Sequence, residues 1–100
     1  MTPTQRSLAH LRAAGYHCEI VEQFVRFPPP GHRKDLWGWC DIIAVRPGEV
    51  LAVQTTSKGN VSARARKIAD SDTVGKVREA GVRIVVHGWH GKTLVERDLS

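Results

Sequence analysis

The sequence predicts an α/β fold in which the order of elements is α-β-β-β-α-β-β, with a central mixed sheet flanked by helices. Apolar residues recur at helical spacing near the N-terminus and again between positions 61 and 80. Between these regions, β-branched and aromatic residues form short runs that Pro and Gly separate, as is typical of strands. The chain has 100 residues, of which 41% are hydrophobic and 25% are charged, and this length and composition are ordinary for one globular domain. We therefore expect a single domain over residues 1–100.

The first helix is predicted from an N-terminal capping signal followed by two leucines. Either Thr2, which precedes a proline, or Thr4 supplies the N-cap. Leu8 and Leu11 then recur at helical spacing, and Gly15 ends the run. We therefore expect a helix that buries the two leucines.

The region after this helix is predicted to be a strand followed by a loop. Residues 16–27 contain Ile, Val and Phe without a helix-length apolar stripe, which indicates one bent strand. Pro28 to Gly31 break the backbone pattern. His32 to Asp35 are all charged or titratable, and we interpret them as an exposed loop.

A β-hairpin is predicted in the middle of the chain. Cys40 to Val45 and Val50 to Thr55 are two apolar runs of strand length. The four residues between them include Pro47 and Gly48, which are typical of a tight turn. The two strands should therefore pair in antiparallel fashion.

A basic amphipathic helix follows the hairpin. Val61, Ala65 and Ile68 fall on one helical face, whereas Arg and Lys lie on the others. The segment Asp70 to Asp72 either interrupts this helix or caps a second one that ends at Gly81. The inward residues of that second part are predicted to be Val74, Val77 and Ala80.

Two closing strands complete the predicted sheet. Val82 to Val86 form a nearly continuous β-branched run, and Thr93 to Leu99 alternate apolar with charged residues. Gly88 and Gly91 are predicted to lie in the turn between them.

The composition favours a polyanionic partner inside a reducing compartment. Fifteen Lys and Arg against ten Asp and Glu give a formal charge of +5, which is typical of proteins that bind nucleic acid. The two cysteines, Cys18 and Cys40, form no disulfide framework, and no secretory leader is recognised. The apolar runs are too short to cross a bilayer. We expect a cytoplasmic protein without a membrane partner.

Two polar residues stand beside the apolar runs of the predicted hairpin. Asp41 opens the run Ile42 to Val45, and Gln54 lies near the end of the following strand. The hairpin can bring these two side chains together. Hydrolysis of phosphodiester bonds requires hard oxygen ligands for Mg²⁺ or Mn²⁺ on a rigid support, together with a cation near the reacting water. Asp41 and Gln54 are therefore candidate metal ligands.

This pattern resembles the PD-(D/E)xK nuclease superfamily, in particular its small Holliday-junction-resolvase-like and phage-type domains. In that family an Asp starts the second strand and Glu-x-Lys ends the third, and a helix and two further strands follow. The resemblance covers nearly the whole chain and implies a restriction-endonuclease-like fold. It places Asp41 at the metal-binding Asp, Gln54 at the Glu position and Thr56 at the Lys position.

Two of the three motif positions differ from the family pattern. Gln54 retains a carbonyl oxygen for a metal but lacks the negative charge, which weakens binding of a divalent ion. Thr56 lacks an ammonium group, and Lys58 is the nearest cation that can replace it. The resemblance thus implies a catalytic set made of Asp41, Gln54, Thr56 and Lys58.

Accessory and nucleic-acid-binding residues are also implied. The family often places an acidic residue on the first helix, and the matching residue here is Gln5. Glu22 and Asp35 are the acids that could compensate for this amide. Cations that flank the motif are expected to contact phosphates. These cations are His32, Arg33, Lys34, Lys58, Arg64, Arg66 and Lys67.

Three functional hypotheses follow from the sequence. The first is a Mg²⁺- or Mn²⁺-dependent endonuclease that acts on DNA, with branched DNA among its candidate substrates. The second is a nucleic-acid-binding protein of the same fold in which the amide and the threonine have removed hydrolysis. The third is an interaction module that forms a homodimer and whose positive charge is incidental.

Overall fold

The computed structural model describes residues 1–100, which form three α-helices and seven strands. The helices are α1 (Pro3–Ala13), α2 (Val61–Ala69) and α3 (Val74–Glu79). The strands are β1 (His17–Ile20), β2 (Gln23–Val25), β3 (His32–Lys34), β4 (Ile42–Arg46), β5 (Glu49–Ser57), β6 (Arg83–His90) and β7 (Thr93–Asp98). A 3₁₀ turn at Lys58–Asn60 joins β5 to α2. None of the helices has the length and apolar character needed to cross a bilayer.

Five strands form one mixed sheet in the order β1-β4-β5-β6-β7. The β5 and β6 strands are parallel, and every other neighbouring pair is antiparallel. The parallel pair requires a crossover connection, which α2 and α3 supply. The predicted α/β fold with a mixed sheet and flanking helices is therefore confirmed.

The two faces of the sheet are covered by different helices. Successive side chains of a strand point to opposite faces, so β5 contributes to both layers. Leu51 and Val53 pack with Leu8 of α1, whereas Ala52 packs with Ile68 of α2. Strand β5 is therefore packed on both faces by apolar side chains. This packing holds the polar residues at the end of β5 in place.

Helix α1 begins as its capping signal predicts. The Thr2 hydroxyl accepts a hydrogen bond from the Gln5 backbone N–H at 3.2 Å, and the Gln5 side chain accepts one from the Thr2 N–H at 3.0 Å. These reciprocal bonds satisfy backbone donors that the first helical turn leaves free. Leu8 and Leu11 are buried, as predicted.

The prediction of one bent strand over residues 16–27, followed by a loop, is wrong. The segment divides into β1, which joins the main sheet, and β2, which pairs with β3 in a separate two-stranded sheet. The predicted loop at His32 to Asp35 therefore contains a strand. Pro28 to Gly31 form the turn, where the Gly31 N–H donates to the Pro28 carbonyl at 2.9 Å. We call residues 23–34 the arm.

The predicted hairpin of β4 and β5 is confirmed. Arg46 pairs with Glu49 across a two-residue turn made of Pro47 and Gly48. Gly48 has a φ of +76°, a backbone conformation that favours glycine. The Asp41 N–H also donates to the Val53 carbonyl at 2.8 Å, which extends the pairing to the residue before β4.

The helical region consists of two helices, α2 and α3. Residues Asp70 to Asp72 therefore lie between two helices rather than within one. The predicted inward residues Val61, Ala65 and Ile68 are buried, and so are Val74 and Val77. Ala80 is exposed because α3 ends at Glu79, so its prediction as an inward residue is wrong.

The first closing strand is longer than predicted, and Gly88 lies within it. The turn between β6 and β7 consists of Gly91 and Lys92 only. A Cβ at Gly88 would lie 2.1 Å from Val61 Cγ2 and 3.2 Å from the Lys58 Cα. Gly88 is thus required by the close approach of the start of α2 to the sheet, rather than by a turn.

Candidate metal centre

The β4–β5 hairpin brings Asp41 and Gln54 together, as the sequence predicts. Ile42 pairs with Val53, so the residues immediately beyond this pair lie opposite each other. Only 4% of the Asp41 surface and 2% of the Gln54 surface are exposed. Burial of a carboxylate and an amide is costly unless both are hydrogen-bonded or bind a ligand.

One oxygen of Asp41 is held firmly by β5. Its Oδ2 atom accepts hydrogen bonds from Gln54 Nε2 at 2.8 Å, from the Thr55 backbone N–H at 2.8 Å and from Thr55 Oγ1 at 3.2 Å. The Thr55 hydroxyl lies in turn 2.8 Å from that of Thr4 in α1. The orientation of the carboxylate is therefore fixed, and Oδ1 takes part in none of these hydrogen bonds.

Two further carboxylates lie beside Asp41. Glu22, Asp35 and Asp41 each offer a carboxylate oxygen, and the three oxygens lie within 4.8 Å of one another. Gln23 pairs with Lys34 at the base of the arm, so the next residues outward, Glu22 and Asp35, face each other by the same register. We call these three residues the carboxylate cluster.

The surroundings of Asp41 oppose its ionisation. Burial, with a smaller contribution from the negative charges of Asp35 and Glu22, outweighs the opposing hydrogen bond from Thr55 and raises the pKa of Asp41 to about 7. A divalent cation at this position would reverse the balance, because it stabilises the ionised form of each carboxylate.

The Gln54 amide uses only one of its two ends within the protein. Its Nε2 atom donates to Asp41 Oδ2 and, at 3.2 Å, to the Thr55 carbonyl. Its Oε1 atom is buried and has no hydrogen-bond partner. An unpartnered buried oxygen costs on the order of 1–3 kcal/mol, which a bound cation would offset. Gln54 therefore both orients Asp41 and offers a hard oxygen donor.

A cleft of about 530 Å³ opens over the carboxylate cluster. It contains most of the residues that the sequence nominates as ligands, together with two arginines and three residues at the start of α1. Its lining residues are Thr2, Pro3, Thr4, Gln5, Ile20, Glu22, Arg33, Asp35, Asp41, Gln54, Thr55 and Arg64. Gln5 thus reaches the cleft, although its side chain also caps α1.

Several nominated residues do not line this cleft. Thr56 is buried against β6, where its register partner is Gly88, and Lys58 is exposed in the 3₁₀ turn. Four further nominated residues are also exposed outside the cleft lining, and they are His32, Lys34, Arg66 and Lys67. The cations at the cleft are therefore Arg33 and Arg64.

Sequence reasoning missed Thr55 and Thr4. The family motif assigns roles only to its first and last residues, here Gln54 and Thr56, and assigns none to Thr55 between them. The available signal was the strand alternation, which places Thr55 on the opposite face from Gln54 and hence toward α1. The N-terminal position of Thr4 in α1 gave no indication that its hydroxyl contacts β5.

Comparison of the chain with protein-family models, with curated proteins and with solved structures finds no match. The chemistry open to the site is therefore judged from its own donors. Three carboxylates and an unpartnered amide oxygen are hard donors suited to Mg²⁺ or Mn²⁺. Arg33 and Arg64 at the same cleft are suited to phosphate groups.

Proposed function

We propose that the chain is a Mg²⁺- or Mn²⁺-dependent nuclease that hydrolyses phosphodiester bonds of DNA, built as a single domain with a restriction-endonuclease-like fold. One observation carries the proposal: three carboxylate oxygens lie within 4.8 Å of one another in a cleft that also contains two arginines. Carboxylates alone suit many cations, but carboxylates beside arginines suit a cation and a phosphate together.

The topology supports this proposal. Helix α1, strand β1, the β4–β5 hairpin, helix α2 and strand β6 follow one another as in the family that the sequence resembles. The parallel pair β5–β6 lies at the centre of the sheet, and two of the candidate ligands, Gln54 and Asp41, lie on β5 and just before β4. This placement on paired strands gives these two ligands a rigid support.

The residues of the cleft fit a divalent cation. Asp41, Asp35, Glu22 and Gln54 Oε1 would hold it, and their donor atoms are all oxygens. When bound, the cation would neutralise phosphate charge and lower the pKa of a coordinated water. Thr55 keeps Asp41 in the required orientation through its backbone N–H and its hydroxyl.

The two arginines are assigned to the phosphate backbone. Arg33 Nη1 donates to Glu22 Oε1 at 3.0 Å, which leaves its other N–H groups free. Arg64 reaches the cleft from the first turns of α2 and is half-buried. Together they would orient a phosphodiester over the carboxylate cluster, a role that the sequence assigned to these two arginines among seven candidate residues.

A second candidate function is DNA binding without hydrolysis. The observation that favours it is the absence of a lysine from the cleft lining: Thr56 stands at the motif position of the family's lysine, and neither Thr56 nor Lys58 lines the cleft. Under this alternative the basic surface and the cleft bind DNA, and the carboxylate cluster performs no chemistry.

The test is a nicking assay on single-stranded and branched DNA with Mg²⁺, with Mn²⁺ and with EDTA. Asp41→Asn keeps an oxygen for the Thr55 N–H but removes the charge, so we expect cleavage to fall by more than about 100-fold. Asp70→Asn, the same change at an exposed position after α2, is the control and should retain activity. Gln54→Glu adds a carboxylate and should tighten Mn²⁺ binding.

Two outcomes would decide against the proposal. Cleavage that survives Asp41→Asn would exclude the carboxylate cluster as the catalytic site. A wild-type protein that binds DNA but cuts none of these substrates with either metal would favour the non-catalytic alternative.

A further inference from the structure

The arm presents an aromatic ring to solvent beside the cleft. Phe24 is 63% exposed. A Cβ at Gly31 would lie 2.7 Å from Phe24 Cζ, so the ring rests directly against the backbone of the opposite side of the turn. One side of the ring is thus supported by the arm, and the ring remains open to a partner.

Phe24 and Arg33 form a pair on one face of the arm. They are register partners in the β2–β3 sheet, and directly opposed residues in an antiparallel pair project to the same face. Arg33 also contacts Glu22 of the carboxylate cluster. This face of the arm therefore carries the Phe24 ring, then the Arg33 guanidinium, and then Glu22 of the carboxylate cluster.

A second cleft joins the ring to the carboxylate cluster. It has a volume of about 280 Å³ and is lined by Ile20, Glu22, Gln23, Phe24 and Arg33. Three of these residues, Ile20, Glu22 and Arg33, also line the larger cleft. The two clefts are therefore contiguous and form a path from the exposed ring to the candidate metal centre.

We propose that this path selects DNA with unpaired bases, either single-stranded DNA or the single-stranded segment of a branched molecule. A base stacks on Phe24, and Arg33 binds the neighbouring phosphate. Within a duplex both faces of each base are covered by neighbouring bases, so Phe24 has no base to stack on. This inference rests on the proposed function and adds the substrate class.

The charge of the arm favours DNA over a second copy of the chain as the occupant. The cations of the arm are Arg26, Arg33 and Lys34, and Arg33 lies on the same face as the exposed ring. The arm itself, residues 23–34, contains no Asp or Glu. Two such arms would repel each other if they docked face to face, whereas single-stranded DNA offers phosphates to the cations and bases to the ring.

The test compares binding of a labelled single strand and of a blunt duplex of equal length, in EDTA. Phe24→Leu keeps an apolar side chain but removes the aromatic face, so we expect single-strand affinity to fall about tenfold and duplex affinity to change less than about twofold. Phe24→Trp should retain single-strand binding. Phe27→Leu is the control, since Phe27 is 75% exposed but lines neither cleft, and it should bind as the wild type does.

Several results would overturn the inference. These are unchanged single-strand binding in Phe24→Leu, equal losses for Phe24→Leu and Phe27→Leu, or no DNA binding at all. A wild-type dimer in sedimentation that becomes a monomer in Phe24→Ala would assign the ring to self-association instead.

Cleavage with Mn²⁺, measured separately, distinguishes this inference from the proposed function. A single-strand preference that depends on Phe24, without any cleavage, would refute only the nuclease. Cleavage of blunt duplex as fast as of single strands, unaffected by Phe24→Leu, would refute only the substrate class.

Discussion

Asp41 makes the stability of the metal-free protein depend on pH. Its folded pKa of about 7 lies above its ordinary value of 3.8, so the folded chain binds a proton more tightly than the unfolded chain does. This contribution to stability is complete below about pH 4 and is lost as the pH rises through about 7. In EDTA we expect the free energy of unfolding to decrease, by a few kcal/mol at most, between about pH 4 and about pH 7, where only the folded chain holds the Asp41 proton.

Urea unfolding of the wild type and of Asp41→Asn across this range checks the prediction. His87 contributes with the opposite sign, because burial lowers its pKa: its contribution is complete above the unfolded value of 6.5 and is lost as the pH falls from there through the lower folded pKa. The difference between wild type and Asp41→Asn removes the His87 contribution, which both proteins share. Identical pH dependence in the two proteins would contradict the raised pKa.

The sequence correctly predicted that Asp41 and Gln54 are neighbours, but it did not predict that Glu22 and Asp35 complete the carboxylate cluster. Asp41 and Gln54 were placed together because Pro47 and Gly48 leave only a short connection between their strands, and Gln54 Nε2 does lie 2.8 Å from Asp41 Oδ2. Glu22 and Asp35 were nominated only as accessory acids, because the strand that aligns them, His32–Lys34, is wholly polar and exposed. Such a strand has no apolar alternation to predict it.

At the level of secondary-structure elements, the contact between α2 and β6 depends on the missing side chain of Gly88. We expect Gly88→Ala to destabilise the protein by about 1–3 kcal/mol, because its Cβ would overlap Val61 Cγ2. Adding Val61→Ala should recover part of this loss, since it removes the overlapping methyl. Denaturant unfolding of both single variants and the double variant measures the coupling, and strictly additive effects would contradict the assigned contact.

Elements with a regular apolar pattern were predictable, whereas the wholly polar strand β3 was not. Helix α2 was identified from Val61, Ala65 and Ile68, whose 3.6-residue spacing reflects a single buried stripe. The turn assigned to Gly88 was wrong because a glycine in a sequence has the same appearance whether it serves a turn or a close approach. Only the tertiary contact with α2 distinguishes these two uses.

For the whole molecule, the formal charge of +5 should make DNA affinity fall as salt concentration rises. Arg64 lines the cleft, whereas Arg66, two residues further along α2, is exposed outside it. We expect Arg64→Gln to reduce the slope of log affinity against log salt by about one, and Arg66→Gln to leave it nearly unchanged. Fluorescence anisotropy titrations over a salt series measure both slopes, and a flat response in the wild type would favour the interaction module.

The separation of the arm from the main sheet has a consequence for how tightly the site can hold an ion. Asp41 belongs to the sheet, but Glu22 and Asp35 stand at the two ends of an arm whose strands are almost wholly exposed. Segments with so little burial open locally at a small fraction of the global unfolding free energy. Each opening would pull two ligands away while the third stayed in place. The observed affinity for the metal ion would therefore equal the intrinsic affinity multiplied by the fraction of time that the arm is closed.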